Sequence, residues 1–485
     1  MDYEKTNILL ADNIRQHINK KDIEQAVSIK DNTSRIGKIA YIVHDAVVLS
    51  SLSYYSGGMY YFNGQFYSNV TKEEYGDTIY DLLRTMGVDS GDILFRAKDI
   101  IRISTVAVRK KVLTYEPHKI CFTNGVFDTK SRLFMPFGTE HHIFGAVDYK
   151  YDGSLTDDDA YLWHQFLREV LPDNRQRKLL QEFLGLLFIS RQEAKVDSML
   201  FMVGGGSNGK SVIFNTILGL LGRDNVSNYD VSALTSGGER KHNLAVINGK
   251  RLNYCPDFGT KAVDDAAFKS LTAGEPQPAR KLFADPFTAY DIPFLIGNGN
   301  KMPPTRDLTN GFFRRVMILP FNVEIPIEKQ NRHLSEQLRN EYPAIFNWII
   351  KGTDRIIKNK FKFTENEISS AAVREYQESS NNLFQWIHDK ALRYRGERYD
   401  SKKWVRAKYL YDNYTEWCVK FDEQPMNLKG FGVAMRDIGF QRRRFRDGYG
   451  YLCFGLPREK FKSGVIQEEY VQVFEGHRPD DEVDL

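Results

Sequence analysis

Cysteine is scarce. The chain holds four, Cys121, Cys255, Cys418 and Cys453, far apart and with no Cys-x-x-Cys pair. That excludes a disulfide framework and a zinc ribbon and leaves reduced thiols. Long apolar runs are missing too: no stretch approaches the ~18 uninterrupted apolar residues of a membrane span. Met1-Asp2-Tyr3-Glu4-Lys5 is no basic segment leading into an apolar core, so no secretory leader is read and a cytoplasmic protein is expected. Net charge is small, +4 over 485 residues, and by itself names no partner. What remains is 42% hydrophobic and 27% charged, an ordinary globular balance, in a chain long enough for about three domains.

Against that background one segment stands out. Gly204-Gly205-Gly206-Ser207-Asn208-Gly209-Lys210-Ser211 has the Gly-x-x-x-x-Gly-Lys-Ser spacing and follows the apolar run Ser198-Met199-Leu200-Phe201-Met202-Val203. A buried strand, a glycine turn and a helix beginning near Val212 turn successive N–H groups toward one point, which favours polyphosphate. Gly204, Gly206 and Gly209 allow the turn and close approach, Lys210 reaches the β- and γ-phosphates, and the Ser211 hydroxyl suits Mg²⁺. The sequence therefore predicts a nucleoside triphosphatase that uses ATP and Mg²⁺.

Around this loop the chain divides by pattern. Residues 1–45 are mixed and polar and carry no assigned role. Residues 46–155 predict an α+β domain, with hairpin signals at Asn63-Gly64, between aromatic stretches from Tyr54 to Asn69, and at Asn124-Gly125. Residues 156–375 begin with two helical patterns and continue with strand-like runs at Arg251–Cys255, Ile292–Gly297 and Val316–Phe321. Strands alternating with helices imply a covered, largely parallel sheet, with ligands beyond the carboxyl ends of its strands. Residues 376–460 form a last module. Its basic excess, 17 Lys and Arg against 10 Asp and Glu over 381–460, points to a nucleic-acid surface, whereas the tail 461–485 is acidic.

Each strand-like run ends near a polar residue. Asp257 follows the first and is placed to hold Mg²⁺ and polarise water, with Asp264, Asp265 and Glu275 as competitors. Asn298 and Asn300 follow the second, where an amide orients the lytic water without needing charge. Arg314-Arg315 precede the third and suit transition-state charge. Between them a predicted hairpin across Ala284-Asp285-Pro286 carries Arg280, Lys281, Phe283 and Phe287, point charges for phosphates beside rings for stacking. In the last module, Asn427 to Gly439 suits a capped helix containing Lys429, and Arg442, Arg443, Arg444 and Arg446 lie on a strand-turn-strand, a helix with a basic wing.

In this order the motifs resemble those of the superfamily 3 helicases, in particular the poxvirus-type primase-helicase branch of phages, plasmids and mobile elements. Gly204 to Ser211 with Asn208 inside it, Asp257, Lys269-Ser270-Leu271-Thr272-Ala273-Gly274-Glu275, Asn300 to Pro303, and Arg314-Arg315 to Pro320-Phe321 match the family pattern in sequence. The spacing to Pro303 selects Asn300 over Asn298. Asn124 to Asp128, Gln181 to Gly185, Leu410 to Cys418 and Phe431 to Met435 are similar to its flanking domains, so the likeness spans roughly residues 50–460. Asp257 stands where the family usually has Glu, and Ala273-Gly274-Glu275 replaces Gly-Gly-Asp.

The resemblance implies an α/β, AAA+-like phosphate-loop ATPase core with an α+β N-terminal domain and a C-terminal winged helix. It further implies a ring, expected to be a hexamer, translocating on single-stranded or forked DNA in a bacterial host cell. Gly204, Gly205, Gly206, Ser207, Asn208, Gly209, Lys210, Ser211 and Val212 would hold the nucleotide. Arg314 or Arg315 would complete the neighbour's site, and the 280–287 hairpin would line the channel. A primase or polymerase domain or protein is the expected companion, since none is read upstream. An ATPase that loads or remodels replication proteins, and a nucleotide-assembled DNA-binding initiator, are the alternatives.

Overall fold

The computed structural model describes all residues except 1–2, 89, 257–264, 283–284, 304, 306–308, 381, 391, 394–402, 446–447, 456–457, 463–464 and 470–485. They fall into two units, Met1–Lys301 with Leu319–Asn366, and Met302–Ile318 with Glu367–Leu485.

The first unit begins with helices α1 (Tyr3–Arg15), α2 (Lys20–Val27) and α3 (Asn32–Leu49). Asn19 and Asp31 cap the second and third by accepting from the amides of Lys21 and Ser34. Ile36, Ile39, Val43 and Val47 recur at helical spacing on α3 and are buried with Leu10 and Ile14 of α1. The same core takes in Leu82 and Leu83 of α4 (Lys72–Thr85) and Ile100 of α5 (Ser90–Val108). A division near residue 45 thus falls inside α3, because these first helices bury their apolar faces against the next ones. Strands β1 (Ser53–Tyr55), β2 (Gly58–Phe62) and β3 (Tyr67–Val70) form one antiparallel sheet. Asn63 Oδ1 accepts from the amides of Gln65 and Phe66 and fixes the expected turn. A further turn at Ser56-Gly57, both at positive φ, splits the first aromatic stretch in two. The second hairpin signal becomes β4 (Lys119–Phe122) and β5 (Gly125–Asp128), with Phe122 opposite Gly125, and β6 (Phe134–Met135) joins them.

The core follows α6 (Tyr161–Val170), α7 (Asn174–Leu186) and α8 (Arg191–Ala194). Its five strands are β7 (Met199–Val203), β8 (Val226–Ser227), β9 (Leu252–Cys255), then β12 (Phe294–Gly299) and β13 (Val316–Pro320). The sheet order is β13-β7-β12-β9-β8. β7 pairs with β12, β12 with β9 and β9 with β8 in parallel. β9 and most of β7 and β12 are buried along their length, as strands covered on both faces must be; the α/β reading holds for this core. Between the strands run α9 (Lys210–Leu221), α10 (Val231–Thr235), α11 (Arg240–Ile247) and α12 (Asp265–Thr272), with the antiparallel ribbon β10 (Gln277–Arg280) and β11 (Pro286–Ala289) ahead of β12. α13 (Asn310–Phe313) precedes β13, and α14 (Leu334–Gln337) and α15 (Tyr342–Lys358) come after it. α15 crosses α7 at Gly352 and Gly185, where either Cβ would collide with backbone of the opposite helix. Buried Glu182 accepts from Arg355 Nε at 2.6 Å and from the Thr364 amide at 2.8 Å and locks that crossing.

In the second unit Phe313 of α13 meets Tyr376 of α16 (Glu367–Ser380) edge to face at 5.7 Å, and Tyr376 donates to the Pro303 carbonyl at 2.7 Å. A division at 375/376 therefore falls inside α16. The remainder is α17 (Asn382–Asp389), β14 (Leu392–Arg393), β15 (Lys403–Arg406), α18 (Ala407–Lys420), α19 (Leu428–Ile438), β16 (Arg442–Phe445) and β17 (Gly448–Gly455), followed by β18 (Arg458–Lys462) and β19 (Val465–Glu469). Trp386, Leu410, Tyr414, Phe431 and Met435 form its core. Asn427 caps α19 by accepting from the Gly430 amide at 2.8 Å, and Gly439 ends it at φ 110°. β17 pairs with β14, β15 and β16.

Candidate nucleotide and nucleic-acid sites

β7 delivers the glycine loop to the carboxyl edge of the sheet, and the loop turns into α9 at Gly209. Gly209 has φ +84°, and a Cβ there would sit 2.7 Å from Val170 of α6; only glycine fits both demands. A Cβ on Gly204 would collide with the Phe321 carbonyl. Gly205 and Gly206, by contrast, face open space, where phosphates can approach. No side chain caps α9, so its first amides keep their donors for an anion. Lys210 is only 6% exposed. Its Nζ donates to the carbonyls of Gly204 at 2.7 Å and Gly205 at 2.8 Å and to Asn208 Oδ1 at 2.8 Å. Burial holds its pKa below the usual lysine range. Asn208, itself buried, donates from Nδ2 to the Phe321 carbonyl at 3.3 Å. Ser211 is exposed at the mouth.

A cavity of about 710 Å³ opens over this loop. Gly205 to Val212, Asn215, Pro256 and Asn298 to Asn300 line it, so the ends of β7, β9 and β12 converge there, as in other open parallel sheets. Asn298 Oδ1 is buried with no hydrogen-bond partner among the described residues, whereas Asn300 is exposed. Asp257, Asp264 and the side chain of Asp265 lie outside the described residues; Glu275 is exposed and does not line the cavity. Two walls escaped sequence reasoning. One is the edge of α6, with Leu162, Gln165, Phe166 and Glu169; the other runs from Ile325 through Arg332 to Ser335. Ile325 anchors the second wall by donating its amide to the Ser207 carbonyl at 2.8 Å. The apolar spacing of α6 marked its core face and said nothing of its other edge. The 325–335 segment has no motif at all.

The β10–β11 ribbon pairs Arg280 with Pro286 and Ala279 with Phe287. Arg280 is exposed. Lys281 is half-buried, with its Nζ 5.5 Å from the Tyr60 ring centre, and desolvation lowers its pKa to about 8. Phe287 packs beside Gly57, where a Cβ would lie 2.8 Å from the ring. Phe283 is outside the described residues. In the second unit Arg314 is exposed, while half-buried Arg315 donates from Nη1 to the Gly311 carbonyl at 2.5 Å. Lys429, Arg442, Arg443 and Arg444 are exposed on α19 and β16, with Arg442 stacked 3.5 Å from the Tyr449 ring centre. Arg446 is outside the described residues. Among the described residues no helix is long and apolar enough to cross a membrane.

Residues 202–315, from β7 through the paired arginines, match a family of unknown function, DUF5906. Residues 71–172 match the family described as D5 N terminal like. A curated relative, "Putative helicase 121R" of Invertebrate iridescent virus 3, is 22% identical over 341 residues, covering 66% of this chain and 36% of its own. The chain thus spans about a third of that relative's length. Two solved structures of the NrS-1 C-terminal region align over 82% and 83% of this chain and 94% and 95% of theirs, at 12% and 10% identity. Their TM-scores, 0.47 and 0.44, support no inference by themselves. By these matches the chain is similar to the D5 N terminal like family and to a viral protein described as a putative helicase.

Proposed function

We propose that this protein is an ATP-driven DNA helicase of a phage or mobile element, working as a ring of identical subunits on single-stranded DNA. The observation that carries the reading is the cavity at the carboxyl ends of β7 and β12, where Lys210, the uncapped start of α9 and the Asn298–Asn300 segment face one space. These donors and their buried lysine fit a triphosphate, and Asn298 and Asn300 line the same cavity. Mg²⁺, held by Ser211 and by Asp257, would neutralise charge on the phosphates. Lys210 and the loop amides bind and orient the phosphoryl group, and Asn298 or Asn300 orients the attacking water. An arginine from 314–315 of a neighbouring subunit would meet the charge that develops. Arg280, Lys281 and Phe287 would grip the strand inside the ring, and the α19 and β16 cations would bind backbone phosphates from the last module. Support for the wider reading comes from the order of the motifs and from the likeness to the viral "Putative helicase 121R".

Turnover of ATP stimulated by single-stranded DNA, and displacement of a strand from a forked duplex, are the measurements. Lys210→Ala should cut both by about 10²- to 10³-fold, the scale of removing one preorganised donor from developing charge, with the unfolding temperature unchanged. Unwinding that survives this substitution would refute the motor. Stimulated turnover without strand displacement would instead favour loading or remodelling of other proteins.

A further inference from the structure

The lysine that must meet the nucleotide is already fully engaged. An ammonium has three donors, and Lys210 Nζ spends all three, on the Gly204 and Gly205 carbonyls and on Asn208 Oδ1. Two of those acceptors are backbone, fixed by the loop itself. The third belongs to a side chain, that of Asn208. Asn208 is 4% exposed and does not hang loosely: its Nδ2 is tied to the Phe321 carbonyl, the same carbonyl that a Cβ on Gly204 would strike. Its amide thus has both ends specified, oxygen toward the lysine and nitrogen toward the residue after β13.

We infer that Asn208 is a positioning residue that holds the Lys210 ammonium back against the loop, so that a triphosphate must displace this bond to engage the lysine. The inference rests on the nucleotide reading of the same cavity. The hold sets the affinity of the site. A charge-assisted bond made before binding and exchanged on binding subtracts from affinity, and it leaves the bound complex untouched. It also keeps a buried cation satisfied, where an unpartnered ammonium would be costly.

The sign of the effect separates this from a scaffolding role. If Asn208 only shaped the loop, removing its side chain would loosen the anion cradle and weaken binding. If it restrains Lys210, removal should strengthen binding. The experiment is equilibrium titration of the intact chain with a fluorescent mant-ATP and Mg²⁺, for the wild type, Asn208→Ala and Asn208→Ser. Both variants should bind about tenfold more tightly, the scale of one charge-assisted hydrogen bond, with KM falling in parallel. Asn208→Gln, which keeps an amide on a longer stem, should lie between them and the wild type. Competitive acetylation by acetic anhydride, followed at the Lys210 peptide without nucleotide, should run several-fold faster in Asn208→Ala and Asn208→Ser. Weaker or unchanged mant-ATP binding in both variants, beside tight wild-type binding and unaltered unfolding temperatures, would overturn the restraint and leave the nucleotide site standing. A wild-type chain that binds no mant-ATP would overturn both.

Discussion

At the scale of single residues the two asparagines at the end of β12 differ in their surroundings. Spacing to Pro303 favours Asn300, but Asn300 is exposed, whereas Asn298 stands inside the parallel pairing with β7, opposite Met202, lines the same cavity and has a buried Oδ1 with no partner among the described residues. A strand backbone positions a side chain more firmly than the loop after it does, and orientation of water demands firmness. Asn298→Ala should therefore lower ATP turnover by about 10²-fold, the lower end for one preorganised polar group, with mant-ATP affinity little changed. A larger loss in Asn300→Ala, read in the same steady-state assay, would return the role to the residue chosen by spacing. The difference shows what the sequence could carry. A motif records which residue types stand at which intervals. It does not record which of two neighbouring amides has lost its water and found no partner.

At the scale of elements the legible parts were those in which local chemistry decides. Asn63-Gly64 and Asn124-Gly125 make their turns, Asn427 and Gly439 bound α19, and the uninterrupted apolar runs become buried strands. Long-range packing was not legible. Nothing local in Gly185 or Gly352 announces that α7 and α15 meet there with backbone against backbone. Since the opposing atoms are backbone, no rotamer change can make room, and Gly352→Ala should cost about 2–3 kcal/mol, the upper range for overpacking. Urea unfolding followed by circular dichroism checks it, and a midpoint equal to wild type would show that the crossing can open freely. The β10–β11 ribbon gives a second element-scale expectation. Lys281 has a pKa of about 8 in the folded chain against about 10.4 for the unfolded one. Below pH 8 both states are charged and the fold bears the full penalty of a desolvated ammonium beside Tyr60. As pH rises from 8 toward 10 the folded state sheds the proton first, and the penalty fades. Stability of Lys281→Met relative to wild type should accordingly be greatest near pH 7 and shrink by pH 9.5. A pH-independent difference between their urea midpoints would mean that Lys281 is solvated after all.

At the scale of the whole molecule, the paired arginines raise a question that no single subunit answers. Arg315 is half-buried and donates to the Gly311 carbonyl, and Arg314 is exposed. An exposed, always-charged guanidinium on a short helix before β13 is suited to meeting another chain's ligand. A head-to-tail ring would supply that neighbour, because each heterologous contact joins two different surfaces of the same chain. The nucleotide site would then be composite, with Lys210 from one subunit and Arg314 from the next. Lys210→Ala and Arg314→Ala should each be inactive alone, the second with its mant-ATP binding retained. Mixed in equal amounts and allowed to exchange, they should regain activity, because some interfaces join an intact Lys210 to an intact Arg314. Random assembly makes that fraction about a quarter for a head-to-tail ring, so turnover near a quarter of wild type is the expected result. Arg315→Ala should impair folding of its own helix end and gain nothing from the same mixing. If the Lys210→Ala and Arg314→Ala mixture stays as inactive as its parts after subunit exchange, Arg314 serves its own chain or none, and the shared site is excluded.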